Sequence, residues 1–552
     1  MTRRYDYIVV GAGTAGCVVA SRLAEAADVN VLLLEAGRAS SHWTIQMPSA
    51  FGRNFEGGPF NWAFWSAPQS RLNNRRVFQP AGRAVGGSSA INGMVFLRGH
   101  ARDFDRWARV EGATGWSYAD VLPYFRKCET YLGPPSEYRG AGGPVKVRPG
   151  STANPLDAAF LEAGSQGGFP STDDVNGYQQ EGFGRWDANI DGGVRASSAH
   201  AYLGGERRGR LDIEADAFVL RVLFEGNRAT AVEVLKGGQT HVFGAEREVV
   251  LSAGALRTPQ VLMLSGVGPA DHLKEHGIPV IVDLPGVGVN LQDHMYVMIQ
   301  YESKLPVTLN KYVAWNRLLG VGLEWMVMHS GPASTNHIEV GAFLKVGARA
   351  EHPDCQVHFK AVLLDGWKPS HTHGFNFGSG TLRATSRGSL KLASDSATDA
   401  PAIDPNYLAT SEDLVDMRNT VKLTREIAHQ RAFDRYRGRE VGPGDAVRSD
   451  SEIDAFLREQ AGSGYHPCGT CRMGTDELAV CSADLRVRGL EGLRVVDASV
   501  FPSLVSANTN AAVFMLGERA SDLIAGRPLL SPETVRIYPG FGERVEVVSG
   551  HL

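Results

Sequence analysis

Two glycine-rich stretches and one histidine-bearing loop carry the residue types that can do chemistry in this sequence. The first stretch is Gly11-Ala12-Gly13-Thr14-Ala15-Gly16, with Glu35 following about twenty residues later. At this spacing Gly11 allows a tight turn, Gly13 lets a pyrophosphate approach the backbone, and Gly16 lets a helix pack closely on a strand. Glu35 is placed to accept hydrogen bonds from the hydroxyls of an adenosine ribose, and it would repel a 2′-phosphate. FAD or NAD therefore fits better than NADP. The second stretch, Gly82 to Gly93, contains the pair Gly86-Gly87 followed by Ser88, Ser89 and Asn92. Successive backbone N–H groups there can form an anion-binding concavity, and a structural turn accounts for the same residues equally well. The third feature is His466 in the loop Gly462-Ser463-Gly464-Tyr465-His466-Pro467, close to Cys468, Cys471 and Cys481. Cys468-x-x-Cys471 suits half of a zinc site, but the usual second paired half is missing, so no metal is expected.

The elements that must position these groups follow from periodicity. Tyr5 to Val10 reads as a strand, Cys17 to Ala27 as a helix and Asn30 to Leu34 as a second strand, completing a βαβ unit around the glycines. Arg210 to Glu214, Ala217 to Phe224, Ala231 to Leu235 and Val242 to Leu251 alternate like strands and suggest a β-meander attached to that unit. From about Tyr301 to Phe456 the runs Gln356 to Val362 and Gly388 to Leu392 predict a second, largely antiparallel sheet, covered by a helix over Leu414 to Gln430. Near the C-terminus, Val513, Leu516, Ala520, Leu523 and Ile524 mark one face of a helix over Ala511 to Ala525, with Asn510 as its expected cap. The fold class is α/β with an α+β element: a Rossmann-like dinucleotide-binding domain joined to a domain built on an antiparallel sheet.

Bulk properties bound the function. A chain of 552 residues exceeds what one hydrophobic core usually serves, so two connected domains are the default. A hydrophobic content of 43%, a charged content of 21% and a net charge of −4 describe a globular protein and make no electrostatic case for nucleic acid. No run of eighteen apolar residues exists, so no membrane span is expected. The early first strand leaves no room for a secretory signal, which makes the cytoplasm the default location, with peripheral membrane contact open. Six cysteines in a chain this long do not form a disulfide framework.

Several ordered blocks together resemble the glucose–methanol–choline (GMC) oxidoreductases. Gly82 to Gly93, running on to Arg98-Gly99, is similar to the first family signature, and Ser252 to Gly268 to the second. Gly286-Val287-Gly288-Val289-Asn290-Leu291-Gln292-Asp293-His294 matches a further block. His466-Pro467-Cys468-Gly469-Thr470-Cys471-Arg472-Met473-Gly474 and Val495 to Ser499 through Asn508-Thr509-Asn510 complete the set. The resemblance covers essentially the whole chain and looks closest to choline-dehydrogenase-like and alkanol-dehydrogenase-like bacterial members.

The resemblance implies FAD in an extended pose, bound by a discontinuous domain of residues 1–155, 195–300 and 457–530. A substrate domain of residues 156–194 and 301–456 and a C-terminal extension of residues 531–552 make up the rest. It implies cofactor contacts from Gly11, Gly13, Thr14, Ala15, Gly16, Glu35, Ala36, Arg83, Gly86, Gly87, Ser88, Asn92, Gly93, Met94, Val95, Val219, Ala253, Asp497, Ala498, Asn510 and Ala511. Members with covalent flavin carry a histidine where this chain has Ile91, so a non-covalent flavin is expected. The family places a histidine and a histidine or asparagine at positions matched to His466 and Asn510. A neutral imidazole can take the proton of a substrate hydroxyl while a carboxamide N–H steadies the oxygen. The expected reaction is FAD-dependent oxidation of a primary alcohol to the aldehyde. Choline dehydrogenase, an O2-using oxidase and a flavin-binding redox sensor are the alternatives, and the electron acceptor is a quinone, a redox protein or O2.

Overall fold

The computed structural model describes residues 3–204, 210–348, 350–540 and 546–548. Its first layer is a seven-stranded sheet built on the βαβ unit. The strands run in the order Arg210–Glu214, Asn30–Leu34, Arg3–Val10, Gln239–Leu251, Arg228–Lys236 and Phe218–Glu225, with Leu493–Val495 pairing beside Gln239–Leu251. The strand Arg210–Glu214, expected in the meander, lies instead parallel to Asn30–Leu34 at the opposite edge. The meander proper is the antiparallel trio from Phe218 to Leu251, whose last strand is long enough to pair parallel with Arg3–Val10 as well. Ile8, Val9, Leu32 and Leu33 are fully buried, as strands covered on both faces require.

The glycine turn delivers the first helix, Thr14–Leu23, which begins three residues before the expected start and ends by Ala24, short of the expected Ala27. It packs closely on the helix Asn510–Ala525: a Cβ added at Gly517 would stand 2.9 Å from the Cβ of Val18. A Cβ on Gly16 would stand 1.9 Å from the carbonyl oxygen of Gly11, so helix and turn touch only because that position has no side chain. Asn510 is the first residue of its helix. Thr509 occupies the cap position without a side-chain cap bond, which frees the Asn510 amide from the capping role expected of it.

The second layer is a seven-stranded antiparallel sheet in the order Arg437–Gly442, Met295–Ser303, Gly374–Thr381, Cys355–Lys360, Val340–Leu344 and Gly182–Arg185, with Gly462–Ser463 pairing on Met295–Ser303. The two-residue alternation of its strands divides the faces. Val297, Ile299, Val357, Phe359, Phe375 and Phe377 point into a core shared with the helices Pro155–Gln166, Ser411–Ala428 and Asp450–Gln460. Tyr296, Met298, Gln300, His358 and Lys360 line a cavity on the other side. Ser411–Ala428 buries Met417, Thr420, Val421, Thr424, Ile427 and Ala428, the stripe of an amphipathic helix. Gly388–Lys391 does not join this sheet; it pairs with Val289–Leu291 and Ala402–Asp404 in a small separate one.

Beyond the last helix the chain straps across Tyr118–Cys128: Leu530 N donates to Tyr124 Oη at 2.9 Å, Glu533 pairs with Arg126, and Val535 and Ile537 are buried. Residues 541–545 and 549–552 of the C-terminal extension lie outside the described residues.

Replacing Gly16 by alanine forces its new methyl into the Gly11 carbonyl. The cost expected is about 1–3 kcal/mol, the range of overpacked cores. It is read as a lower melting temperature together with a lower flavin content of the purified protein, and an unchanged melting curve would contradict the packing described.

Candidate active site

A cavity of 930 Å³ runs from the glycine turn to the second sheet. At its inner end Glu35 is buried, with Oε2 accepting from Ala12 N at 3.0 Å and Oε1 from Gly37 N at 2.8 Å. Burial pushes its pKa up to about 7 against the pull of those two amides. Each oxygen accepts one of these bonds and has capacity for another, and Glu35 lines the cavity. The first sheet presents Val219 and the turn presents Gly11, Gly13, Thr14 and Ala15. A Cβ on Gly13 would meet nothing closer than Ser252 O at 3.6 Å, so the cleft comes directly to the backbone there. The loop Gly87–Val95 closes down on this turn: a Cβ on Gly87 would lie 2.6 Å from the Cα of Gly13. Asp497, at the end of the strand Leu493–Val495, accepts from Gly254 N at 2.9 Å, Thr258 Oγ1 at 2.6 Å and Ser499 N at 2.8 Å, tying its own turn to the segment Gly254–Thr258 along the wall.

Two buried polar atoms on residues lining this half of the cavity have no partner among the described residues, Asn510 Nδ2 and Ser252 Oγ. Asn510 Oδ1 is already committed, accepting from Thr14 Oγ1 at 2.8 Å. A donor left over at a helix start, a backbone laid bare at Gly13 and an acid poised for a ribose fit FAD. Glu35 would take the ribose, residues 11–15 the pyrophosphate, and Asn510 Nδ2 and the loop Gly87–Val95 the flavin end.

The outer half is organised by a hydrogen-bond chain whose polarity is the same throughout. Tyr296 Oη donates to Gln356 Oε1, Gln356 Nε2 donates to Asn508 Oδ1 at 3.2 Å, and Asn508 Nδ2 donates to His466 Nε2 at 3.0 Å. His466 Nδ1 lies 2.9 Å from His294 Nδ1, and His294 Nε2 lies 3.2 Å from Leu382 O. A carbonyl only accepts, so His294 carries its proton on Nε2 and presents a bare Nδ1. His466 must then carry its proton on Nδ1, which leaves the lone pair on its Nε2. The His466 ring is half-buried and opens onto the cavity; burial, with His294 and His358 nearby, holds its pKa well below the ordinary histidine value. His294 is fully buried and its pKa is lowered to about 4, again chiefly by burial.

The loop bearing His466 is clamped by the residue before His294. Asp293 Oδ1 accepts from His466 N at 2.8 Å, and Oδ2 accepts from Ser463 Oγ and Tyr407 Oη, both at 2.5 Å. Gly464 N donates to His294 O at 2.6 Å. The block Asn290 to His294 thus sets both the height of the loop and the tautomer of its imidazole.

Most of the expected residues converge on the cavity wall: Gly11, Gly13, Thr14, Ala15, Glu35, Ala36, Gly87, Ser88, Asn92, Gly93, Met94, Val95, Val219, Ala253, Asp497, Ala498, Asn510 and His466. Four do not. Gly16 is spent on helix packing, Gly86 turns the chain at φ +104° with its N–H on Ala12 O, and Ala511 is buried inside its helix. Arg83 points outward and stacks on Trp62 at 4.7 Å. His294, Asn508, Tyr296 and Gln356 were not singled out from sequence. Asn508 is the residue that faces His466, two positions before Asn510. The cysteines Cys468, Cys471 and Cys481 are buried in the core with thiol pKa values raised by burial, and among the described residues no three His, Cys, Asp or Glu side chains converge on a metal position.

A dinucleotide cleft of this build, ending at a neutral imidazole, defines an FAD-dependent oxidoreductase acting on CH–OH groups. Comparison with known proteins agrees. The N-terminal and C-terminal GMC oxidoreductase family models match residues 5–296 and 384–517. The chain is 48% identical to human mitochondrial choline dehydrogenase, over 97% of this chain and 92% of that protein. It is 46% identical to an oxygen-dependent choline dehydrogenase of Chromohalobacter salexigens, over 98% of each. Among solved structures, pyridoxine 4-oxidase from Mesorbium loti superposes with a TM-score of 0.86 at 31% identity, over 95% of this chain and 100% of that one. This chain belongs to the GMC oxidoreductase family, and its cofactor is FAD.

The two asparagines separate by experiment. Asn508→Ala removes the donor beside His466 Nε2 and should lower the anaerobic rate of flavin reduction by alcohol about 10²–10³-fold, as loss of a positioned donor does. Asn510→Ala should act first on flavin retention. Equal effects on the reduction rate, with flavin content intact in both, would contradict this division.

Proposed function

We propose that this chain oxidises a small primary alcohol to its aldehyde, with His466 as the base. The observation that carries this reading is the one-way hydrogen-bond chain, which leaves an unprotonated Nε2 on a neutral imidazole at the cavity. A substrate hydroxyl entering between His466 and Asn508 donates to Nε2 and accepts from the Asn508 amide. As the proton moves to His466, negative charge builds on the substrate oxygen and the adjacent C–H is released as hydride. Bound FAD supplies the acceptor for that hydride. The imidazolium formed keeps its Nδ1–H on His294, which acts as a fixed acceptor behind the base much as a carboxylate does behind other catalytic histidines. Asn508 holds the carbon in place while the proton leaves.

The flavin is held without a covalent bond in this reading, because Ile91, buried on the cavity wall, offers no nucleophile. A second reading, choline as the alcohol, is favoured by the names of the relatives and by three aromatic rings on the wall. Phe55, Trp367 and Tyr465 have ring centroids 5.2, 5.3 and 5.8 Å apart, a grouping able to receive a quaternary ammonium. Hydrogen peroxide formed during turnover separates an oxidase from a dehydrogenase. No helix among the described residues is long and apolar enough to cross a membrane.

His466→Ala should keep its flavin yet lose about 10²–10⁴ in the anaerobic rate of reduction by alcohol, the contribution of a positioned base. The pH dependence follows from the sign of the shift. A lowered pKa keeps Nε2 free at neutral pH, so the limiting rate of reduction should stay level from pH 9 to about pH 6 and fall only in more acid solution. A rate that already declines on going below pH 7.5 would overturn the assignment, as would full activity in His466→Ala.

A further inference from the structure

The cavity-facing side of the second sheet is a shallow trough. Its middle strand contributes Gly378 and Gly380, which carry no side chains, and the flanking strands contribute the walls. Across this trough Tyr296, Gly380 and Gln356 stand in one row, beside Asn508 and His466. Gln300, Asn376 and Lys360 stand in another row, four residues along the same strands. At a rise of about 3.3 Å per residue the second row lies roughly 13 Å from the first. The trough therefore has a reacting end and a far end.

Lys360 lines the cavity at the far end and has neither an ion pair nor a hydrogen bond among the described residues. Its neighbours are neutral and mostly committed. Gln300 is paired with Leu364 through both its Nε2 and its Oε1, Asn376 Nδ2 donates to Val362 O at 2.7 Å, and His358 Nδ1 accepts from Trp186 Nε1 at 2.8 Å. Asn376 Oδ1, across the ladder from Lys360, is buried without a partner and carries no charge to balance an ammonium. Of the described residues on the cavity wall only Glu35 and Asp497 are acids. Both stand in the nucleotide half, with their carboxylate oxygens already accepting main-chain N–H bonds. Burial lowers the pKa of Lys360 to about 8, which leaves it a cation at neutral pH.

A partly buried cation with no carboxylate beside it is costly, and a ligand carrying the opposite charge removes that cost through a charge-assisted hydrogen bond. A quaternary ammonium at the same end would meet a like charge with no carboxylate to offset it. We propose that the substrate is a primary alcohol bearing an anionic group, such as a carboxylate, at the end remote from the hydroxyl, and that Lys360 is the residue that selects it. The aromatic rings of Phe55, Trp367 and Tyr465 then bracket the apolar middle of the substrate rather than a cation. This inference rests on the alcohol-oxidation reading above and adds the charge of the substrate to it.

The test uses FAD-loaded protein under argon with two matched pairs: 4-(hydroxymethyl)benzoate against 4-(hydroxymethyl)benzamide, and choline against 3,3-dimethylbutan-1-ol. In the native protein the benzoate should reduce the flavin at least about tenfold more efficiently than the amide, the worth of one charge-assisted contact. Choline should show no advantage over its neutral isostere. In Lys360→Met the ratio between benzoate and amide should fall toward one, and in Lys360→Arg it should persist. Equal efficiency for benzoate and amide in the native protein, a ratio that survives Lys360→Met, or a tenfold preference for choline over 3,3-dimethylbutan-1-ol would each overturn the proposal. Binding of plain benzoate, followed by perturbation of the flavin spectrum in native and Lys360→Met protein, reads the Lys360 contact without turnover. It keeps the two ideas apart: flavin that no alcohol reduces defeats the reaction assigned to the site, while loss of benzoate binding in Lys360→Met still supports the anion contact.

Discussion

The site depends on an imidazole that is buried without a carboxylate beside it. The His466 ring is backed by a second imidazole, His294, and that one by a carbonyl, while the nearby Asp293 carboxylate bonds only the main-chain N–H of His466, so no carboxylate touches the ring to raise its pKa. Its neutrality is a product of burial, and its tautomer is a product of direction: each donor in the run from Tyr296 through Gln356 and Asn508 points the same way. Reversing any one member would leave two donors or two acceptors face to face in a largely enclosed space. Asp293, with its three accepted hydrogen bonds, then ties the loop carrying the imidazole to the start of the second sheet.

The rest of the fold brings distant segments to that point. The hydrogen-bonded groups at the outer end come from residues 294, 466 and 508, while the cleft that leads to them begins at residues 11–16. Backbones meet at glycines where these segments converge, Gly16 on Gly11 and Gly87 on Gly13, and the closeness of those contacts lets one extended cavity join the two sheets. The Thr14–Asn510 hydrogen bond links the first helix to the last across nearly the whole chain, placing the start of each helix at the same stretch of the cleft. Catalytic alignment is therefore a property of the interface between layers, and a substitution in the glycine turn is felt at the base.

The nucleotide cleft was legible in sequence because its signal is local: three glycines, two strands and an acid lie within thirty-five residues. The second site was legible in its histidine but not in its amide. Asn508 and Asn510 are two residues apart where a helix begins, Asn508 ahead of the helix and Asn510 its first residue, so the backbone at the helix entry sends their side chains in different directions. Which of them faces His466 is set by that entry, and helix boundaries are uncertain by a residue or two from sequence. His294 does not stand out within Gly286 to His294, since its meaning comes from Leu382 on one side and His466 on the other. Lys360 is not legible in sequence for a related reason. The alternation Val357, His358, Phe359, Lys360 shows two faces, but only the pairing with Gly374–Thr381 and Met295–Ser303 tells which of them looks into the cavity. The parallel placement of Arg210–Glu214 is equally a matter of pairing and is not encoded in a strand's own pattern.

The hydrogen-bond pattern requires a His466 that is neutral at physiological pH, with its proton on Nδ1 and its lone pair on Nε2. Nitrogen-15 NMR of histidine-labelled, FAD-loaded protein, with the His466 resonances assigned by comparison with His466→Ala, reads both properties at once. The structure predicts a neutral ring protonated on Nδ1 throughout the range from about pH 6 to 8, below which an ordinary histidine would already be mostly charged. A ring found as imidazolium near pH 7, or neutral with its proton on Nε2, would contradict it.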